Sequence, residues 1–198
     1  CVDNRKPYRV YGGLQDNGSW SGPSAGIGGT ILNKDWVNIG GGDGFWAYAD
    51  AADPDIVYSE SQGGEITRRR VSTGEEKSIK PLPLAGDPPY RFNWNTPIQT
   101  SPNDPKTIYL GSQFLFRSRD RGDSWEKISP DLSTNDPKKQ QQLKSGGLTV
   151  DNSSAENHTT IFTISESPKS AQVIWAGTDD GNLQVTRDGG KSWTNVAP

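Results

Sequence analysis

Ser118-Arg-Asp-Arg-Gly-Asp-Ser-Trp125 and Thr186-Arg-Asp-Gly-Gly-Lys-Ser-Trp193 decide the fold. Both read Ser/Thr-x-Asp-x-Gly-x-Ser-Trp, and each runs into a short strand-like tail, Glu126-Lys-Ile-Ser-Pro130 and Thr194-Asn-Val-Ala-Pro198. A spaced pattern that recurs within one short chain marks an internal repeat, and repeats set architecture before local propensity does.

Aligning on the octapeptides recovers a longer unit. Ser101-Pro-Asn-Asp-Pro-Lys-Thr-Ile-Tyr-Leu-Gly-Ser112 precedes the first, and Ser167-Pro-Lys-Ser-Ala-Gln-Val-Ile-Trp-Ala-Gly-Thr178 precedes the second. Asp53-Pro-Asp-Ile-Val-Tyr-Ser-Glu60 and Asp3-Asn-Arg-Lys-Pro-Tyr-Arg-Val-Tyr-Gly-Gly13 are further copies of this turn and strand. Phe45–Ala49, Trp94–Thr100 and Thr160–Ile164 supply an earlier apolar strand to three of the units. Each unit therefore has four strands, A to D, with the octapeptide between C and D. The aromatic residues Tyr11, Tyr58, Tyr109 and Trp175 lie 47, 51 and 66 residues apart. Units of this length built from four short strands predict an all-β fold, a β-propeller of four-stranded antiparallel blades. A two-sheet sandwich also offers regular strands, but it does not predict one turn motif at the same place in successive units.

The expected blades run over about 1–39, 44–80, 92–130 and 158–198, with a polar insert at about 131–157. The first begins at Cys1-Val-Asp3, where its strand A should already be ending, so three complete blades and most of a fourth are expected, a partial ring. The remaining blades, from the same polypeptide or another chain, are the first partner this implies. An excerpt of a larger propeller is favoured over a mature lipoprotein with a modified Cys1.

Composition agrees. Twenty-three glycines and fourteen prolines among 198 residues, with 30% hydrophobic residues, suit short strands and tight turns. The polar run Asn135–Lys144 predicts at most one or two exposed helical turns. A net charge of −3 argues against a nucleic-acid surface built on bulk positive charge. Arg68-Arg69-Arg70 reads as a solvated strand beside Glu65, Glu75 and Glu76. No apolar stretch approaches the ~20 residues of a membrane span. One cysteine excludes an internal disulfide or a cysteine-based zinc site, and one histidine, His158, makes no metal site. No metal and no cofactor is expected.

Within the octapeptides, Asp120 and Asp188 can accept backbone N–H bonds across the turn, and Ser118 and Thr186 can add a hydroxyl. Gly122 and Gly190 suit positive φ, and Trp125 and Trp193 are apolar plates for packing. Carboxylates used in this way are poor acids or bases, so these eight residues are read as structural. Arg121-Gly-Asp123 lies inside the same turn and is read as part of it.

The octapeptides resemble the Asp-box of BNR repeats, found in sialidases, sortilin-type receptor propellers and xyloglucanase-like glycosidases. Val10–Trp20, Gly41-Gly-Asp-Gly-Phe45 and Phe92-Asn-Trp-Asn95 resemble one subset, large secreted bacterial proteins with a sortilin N-terminal-like propeller and a glycosyl-hydrolase-like label. The resemblance covers essentially the whole chain. It implies a propeller and a secreted, periplasmic or cell-surface location. Asp16-Asn-Gly-Ser-Trp20 reads as a compressed copy of the box in the first blade, and Val71-Ser-Thr-Gly74 as a copy without its Asp.

With the octapeptides between C and D, the B–C turns and D–A connections lie at the opposite strand ends, where loops on a rigid scaffold carry function. These nominate Gln15, Asp16, Asn17, Gln62, Gln113, Asp179, Asp180 and Asn182, and then Asp43, Arg91, Asn93, Asn95 and His158. Trp20, Trp46 and Trp94 are close in sequence. Amides and carboxylates beside aromatic plates suit sugar hydroxyls and faces; they also suit peptides, and Asn, Asp and Gly are ordinary turn residues. Asp43 carries most weight, because Gly40-Gly-Gly-Asp-Gly44 holds one carboxylate on a glycine-rich approach. A glycosidase needs two carboxylates about 5–5.5 Å or 6.5–9.5 Å apart, which Asp43 with Asp16, Asp179 or Asp180 would have to supply. A sialidase needs an arginine cluster, and Arg91 alone is suitably placed. The reading therefore leans to a non-catalytic scaffold for protein, peptide or glycan, with part of a polysaccharide-acting glycoside hydrolase as the alternative. Asn17-Gly-Ser19, Asn152-Ser-Ser154 and Asn157-His-Thr159 are glycosylation acceptors only in a secreting eukaryote.

Overall fold

The computed structural model describes residues 1–144 and 153–198; the Asn152 acceptor and part of the insert lie outside them. The chain divides into two compact units, Cys1–Ser61 with Glu65–Lys80, and Gln62–Gly64 with Pro81–Pro198.

The first unit holds two antiparallel sheets. One is β1 (Arg9–Leu14), β2 (Gly18–Pro23) and β3 (Val37–Gly40), and the other β4 (Ala47–Ala49), β5 (Ile56–Ser61), β6 (Glu65–Arg70) and β7 (Glu76–Ser78), each in sequence order. The second unit holds β8 (Ile98–Thr100), β9 (Ile108–Gly111), β10 (Leu115–Ser118) and β11 (Glu126–Lys127), then β12 (Ile161–Ser167), β13 (Ser170–Thr178), β14 (Leu183–Thr186) and β15 (Thr194–Asn195). Three four-stranded sheets and one of three strands are the blades of a β-propeller. The three-stranded sheet carries the end of a further strand: Val2 bridges Val10, and Cys1 and Tyr11 exchange backbone hydrogen bonds, the N-terminal ammonium donating to Tyr11 O at 2.9 Å. Among the described residues there is no α-helix; the polar run forms one 3-10 turn, Gln142–Lys144.

The turn between the first two strands repeats at the atomic level. Eight residues before each mid-strand aromatic stands Asp3, Asp50, Ser101 or Ser167. Asp50 Oδ1 accepts from the backbone of Ala52 and Asp53 at 3.0 and 2.9 Å; Ser101 Oγ accepts from Asn103 and Asp104 at 3.1 Å each. Asp3 and Ser167 accept from Arg5 and Lys169 in the same way. In the first two sheets the tyrosine closes the motif, Tyr11 Oη donating to Asp3 and Tyr58 Oη to Asp50. A short polar side chain that satisfies the turn N–H groups fixes the turn whichever oxygen supplies the acceptor.

Within each unit, one sheet's aromatic plate packs on the first two strands of the next. Tyr11 clusters with Ile39, Ala47 and Val57, and Tyr109 with Leu115, Ile161, Ile164, Ile174 and Ala176. Two residues beyond each of these tyrosines a glycine permits the approach. A Cβ on Gly13 would collide with the backbone of Gly44 and Phe45, and one on Gly111 would sit 2.8 Å from Ile161 Cγ2.

Candidate functional site

The octapeptides connect β10 to β11 and β14 to β15, and their geometry is the same twice. Ser118 Oγ donates to Asp120 Oδ1 at 2.8 Å and accepts from Gly122 N at 2.7 Å. Asp120 takes Ser124 N at 2.8 Å and Ser124 Oγ at 2.6 Å. Thr186, Asp188, Gly190 and Ser192 repeat this set at 2.7, 3.0, 2.9 and 2.5 Å. Gly122 and Gly190 have φ of 90° and 101°. Trp193 Nε1 donates to Ile128 O at 3.0 Å and the ring packs against the Tyr109 cluster; Trp125 is half-buried. The Ser124 hydroxyl holds Asp120 at a pKa of about 2, and the Ser192 hydroxyl and N–H do the same for Asp188.

Both aspartates are depressed from an ordinary 3.8. Their stabilisation is therefore complete above about pH 4 and fades as pH falls through about 2. The double variant Asp120→Asn, Asp188→Asn is expected to melt below the parent at pH 6. The two melting curves should converge as pH drops from 4 to 2 in a thermal-denaturation series; a gap of constant size across that range contradicts the assignment.

The copy without its own Asp is repaired from elsewhere. In the β6–β7 turn, Ser72 N and Oγ donate to Asp55, from the turn before β5, at 2.8 and 2.5 Å. The reading of Asp16–Trp20 as a compressed octapeptide is corrected: these residues form the β1–β2 turn and the start of β2, at the opposite strand ends from β10–β11. Their Asp and Gly serve a two-strand hairpin, with Asp16 at φ 63° and Gly18 at φ 70°.

In the first unit the hairpin meets the glycine-rich loop. Asp43 is buried, and its Oδ1 accepts from Asp16 N at 2.7 Å. Gly18 N donates to Gly42 O at 2.9 Å, and Gly44 N to Leu14 O at 3.1 Å. Asp43 thus braces the turn, while Gln15, Asp16 and Asn17 are exposed above it. Trp20 Nε1 is used on Asn17 O at 2.7 Å. Trp46 stacks on Tyr48, with ring centroids 6.1 Å apart.

In the second unit a larger polar cluster forms where the β13–β14 turn meets the segments leading to β8 and β12. Asp179 Oδ2 accepts from Asn93 Nδ2 at 3.0 Å and Thr160 Oγ1 at 2.7 Å, and Oδ1 accepts from Thr160 N at 3.0 Å. His158 Nδ1 lies 3.9 Å from Asp179 Oδ1. Asp180 accepts from Thr178 Oγ1 at 2.5 Å and from Thr134 N and Oγ1 at 2.8 and 2.7 Å. Burial would raise the Asp180 pKa, but the Thr178 and Thr134 hydrogen bonds outweigh it and hold the group below its usual range. Arg91 donates to Asp131 at 2.7 Å, to Ser133 and to Thr159 O. Asn182 Nδ2 donates to Leu132 O, and Asn95 N to Asn93 Oδ1. The buried Asn95 Oδ1 and His158 Nδ1 accept no hydrogen bond.

The structure therefore gathers Arg91, Asn93, Asn95, His158, Asp179, Asp180 and Asn182, and separates Gln113 from solvent. Gln113 is 1% exposed, with Oε1 on Arg91 N at 2.7 Å and Nε2 on Pro89 O at 2.9 Å. Both its amide atoms are consumed in the interior, so it acts as a strut. Gln62 is half-buried in a 3-10 turn between β5 and β6. Sequence reading missed Asp131, Ser133, Thr134, Thr160 and Thr178. Thr178 was within reach, since it aligns with Ser112 and both hydroxyls accept an N–H of the following turn, at 2.9 and 3.0 Å. Among the described residues, no cluster of three or more His, Cys, Asp or Glu could hold a metal ion, and no helix is long and apolar enough to cross a membrane.

No protein-family profile matches the chain. Xyloglucanase Xgh74A of Acetivibrio thermocellus is 28% identical over 184 residues, 84% of this chain and 20% of that protein. Among solved structures, a GH74 xyloglucanase from Xanthomonas campestris superposes with a TM-score of 0.56 at 12% identity, covering 92% of this chain and 26% of that one. A GH74 enzyme from Niastella koreensis superposes with 0.51 at 15% identity, covering 93% and 30%. The chain spans about a fifth of that curated relative's length and less than a third of either structure. At these identities the likeness establishes the fold alone, a β-propeller segment.

Proposed function

We propose that this segment binds a neutral glycan through the polar cluster of its second unit, as the non-catalytic part of a larger carbohydrate-interacting propeller. The observation that carries this reading is the state of the carboxylates. Asp131, Asp179 and Asp180 each accept two or more hydrogen bonds from neighbouring guanidinium, amide, hydroxyl and backbone donors, and the cluster keeps the Asn95 amide oxygen and His158 Nδ1 without a protein partner. Locked carboxylates fix geometry and are poorly suited to shuttling protons. The resemblance of the octapeptides to the Asp-box of sortilin-like BNR propellers, and the similarity to a xyloglucanase, support a secreted or cell-surface protein that binds xyloglucan.

The test is calorimetric titration of the 198-residue chain with xyloglucan oligosaccharide. His158→Ala is expected to weaken binding by roughly three- to tenfold, the loss of one solvent-facing hydrogen bond, without release of reducing sugar. Heat-silent titration overturns the reading.

A second reading, a share in a glycoside hydrolase site, draws on one contact. Asp16 and Asp43 are brought together by the Asp16 N bond to Asp43, and Asp16 is exposed. Hydrolysis of xyloglucan that disappears in Asp16→Asn would favour it.

A further inference from the structure

Asn or Asp precedes Gly at four steps of the chain: Asn17-Gly18, Asp43-Gly44, Asp180-Gly181 and Asp188-Gly189. With no Cβ on the second residue, its backbone nitrogen can reach the side-chain carbonyl carbon of the first. The fold treats the four steps differently. Asp43 is buried with Oδ1 on Asp16 N, Asp180 holds Thr178 and Thr134, and Asp188 holds Thr186 and Ser192. These bonds also favour the ionised form of Asp180 and Asp188, and a carboxylate anion resists attack by an amide nitrogen. Asn17 is exposed, and among the described residues its side chain makes one hydrogen bond, Nδ2 to Gln15 O at 3.1 Å in the same exposed turn.

Packing imposes the glycine at position 18. Its φ is 70°, and a Cβ there would stand 2.4 Å from Gly40 O. Trp20 Nε1 donates to Asn17 O at 2.7 Å, which draws electron density from the Asn17–Gly18 peptide and makes the Gly18 N–H more acidic. That N–H is held by Gly42 O at 2.9 Å. The loop that supplies Gly42 is braced in turn by Asp43 on Asp16 N at 2.7 Å and by Gly44 N on Leu14 O at 3.1 Å.

We propose that Asn17 is a site of spontaneous deamidation, gated by the contact between the β1–β2 turn and the Gly40–Gly44 loop. When the loop opens, Gly18 N loses its proton to solvent base and attacks Asn17 Cγ. The new C–N bond forms as the Cγ–Nδ2 bond breaks, and Nδ2 leaves as ammonia with a proton from water. Water then adds to either carbonyl carbon of the succinimide ring and opens it, to aspartate or to isoaspartate, with no oxidation or reduction. Either product puts a second carboxylate beside Asp16. Isoaspartate also routes the backbone through Cβ and Cγ of residue 17, which moves Gly18 N–H off Gly42 O and unseats the hairpin.

Peptide mapping by mass spectrometry, with enzymatic methylation to mark isoaspartate, tests this on the folded 198-residue chain at mildly alkaline pH and on the same chain unfolded in urea. Isoaspartate is expected in the peptide that carries Asn17 and not in those that carry Asp43, Asp180 or Asp188, and more slowly in the folded chain than in the unfolded one. Asp43→Ala should raise the folded-state rate roughly three- to tenfold, the effect of one lost hydrogen bond on loop opening. If that variant does not fold, the ratio of the parent's folded and unfolded rates decides the gate. A folded chain that keeps Asn17 intact while the unfolded chain converts it overturns the site. Equal folded and unfolded rates, or a folded Asp43→Ala variant no faster than the parent, overturn the gate.

Discussion

Replacing Tyr109 by alanine is expected to destabilise the second unit by about 3–5 kcal/mol, the cost of deleting a large buried aromatic and leaving its cavity. The ring is 2% exposed and is the plate that joins the third and fourth sheets, against Ile161, Ile164, Ile174 and Ala176. Burial, with the Glu166 carboxylate next, pushes the phenol up to about 12, so the hydroxyl stays neutral through the ordinary pH range. Tyr109→Phe should keep most of the stability, because ring area and not charge closes the seam. Trp175→Ala at the equivalent position should cost only about 1–2 kcal/mol, since the plate there covers its own sheet alone. Chemical denaturation of the three variants decides it. Equal losses at Tyr109 and Trp175 would mean that blade packing contributes little and that each sheet is stable by itself, against the rule that a lone sheet needs a partner surface.

The architecture was legible because its determinants are local. Five fixed positions of the octapeptide, the polar residue eight before each aromatic, and the glycine two after three of the four each satisfy a backbone group or a close approach within one sheet or its neighbour. The same locality misled at Asp16–Trp20. An Asp-x-Gly hairpin uses the same residue types as the octapeptide, and its bonds to Gly42 and Asp43 place it at the B–C end of the strands, the other position the sequence allowed for Asp16 and Asn17.

The candidate site was less legible because its partners are remote in sequence. Arg91 meets Asp131 across 40 residues and Asn93 meets Asp179 across 86. An exposed turn residue and one consumed as a strut have the same composition; Gln15, exposed in the β1–β2 turn, and Gln113, bonded at both amide atoms, differ only in what lies beside them. The locked carboxylates follow from those distant contacts, and with them the preference for binding over acid–base chemistry.

Gly190→Ala is the second large effect, and it tests the octapeptide as a wedge between sheets. At φ 101° any L side chain is strained, by about 1–2 kcal/mol. A Cβ there would also stand 2.7 Å from Ile128 O and 2.9 Å from Ile128 Cβ, just past β11. Ile128 has little room to retreat: its N–H is bonded to Leu115 O at 2.9 Å, and its carbonyl accepts Trp193 Nε1 at 3.0 Å. Overpacking against a pinned strand adds about 1–3 kcal/mol, for a total of about 2–5. Gly181 is the control, with the same φ of 101° and nothing within 4 Å of its Cβ position. Gly181→Ala should therefore show the conformational part alone. If the two variants unfold at the same denaturant concentration, Ile128 yields and the turn does not set the spacing of the seam. If Gly190→Ala is the weaker by the expected margin, the octapeptide acts beyond its own hairpin: its glycine holds open the contact by which the fourth sheet meets the third.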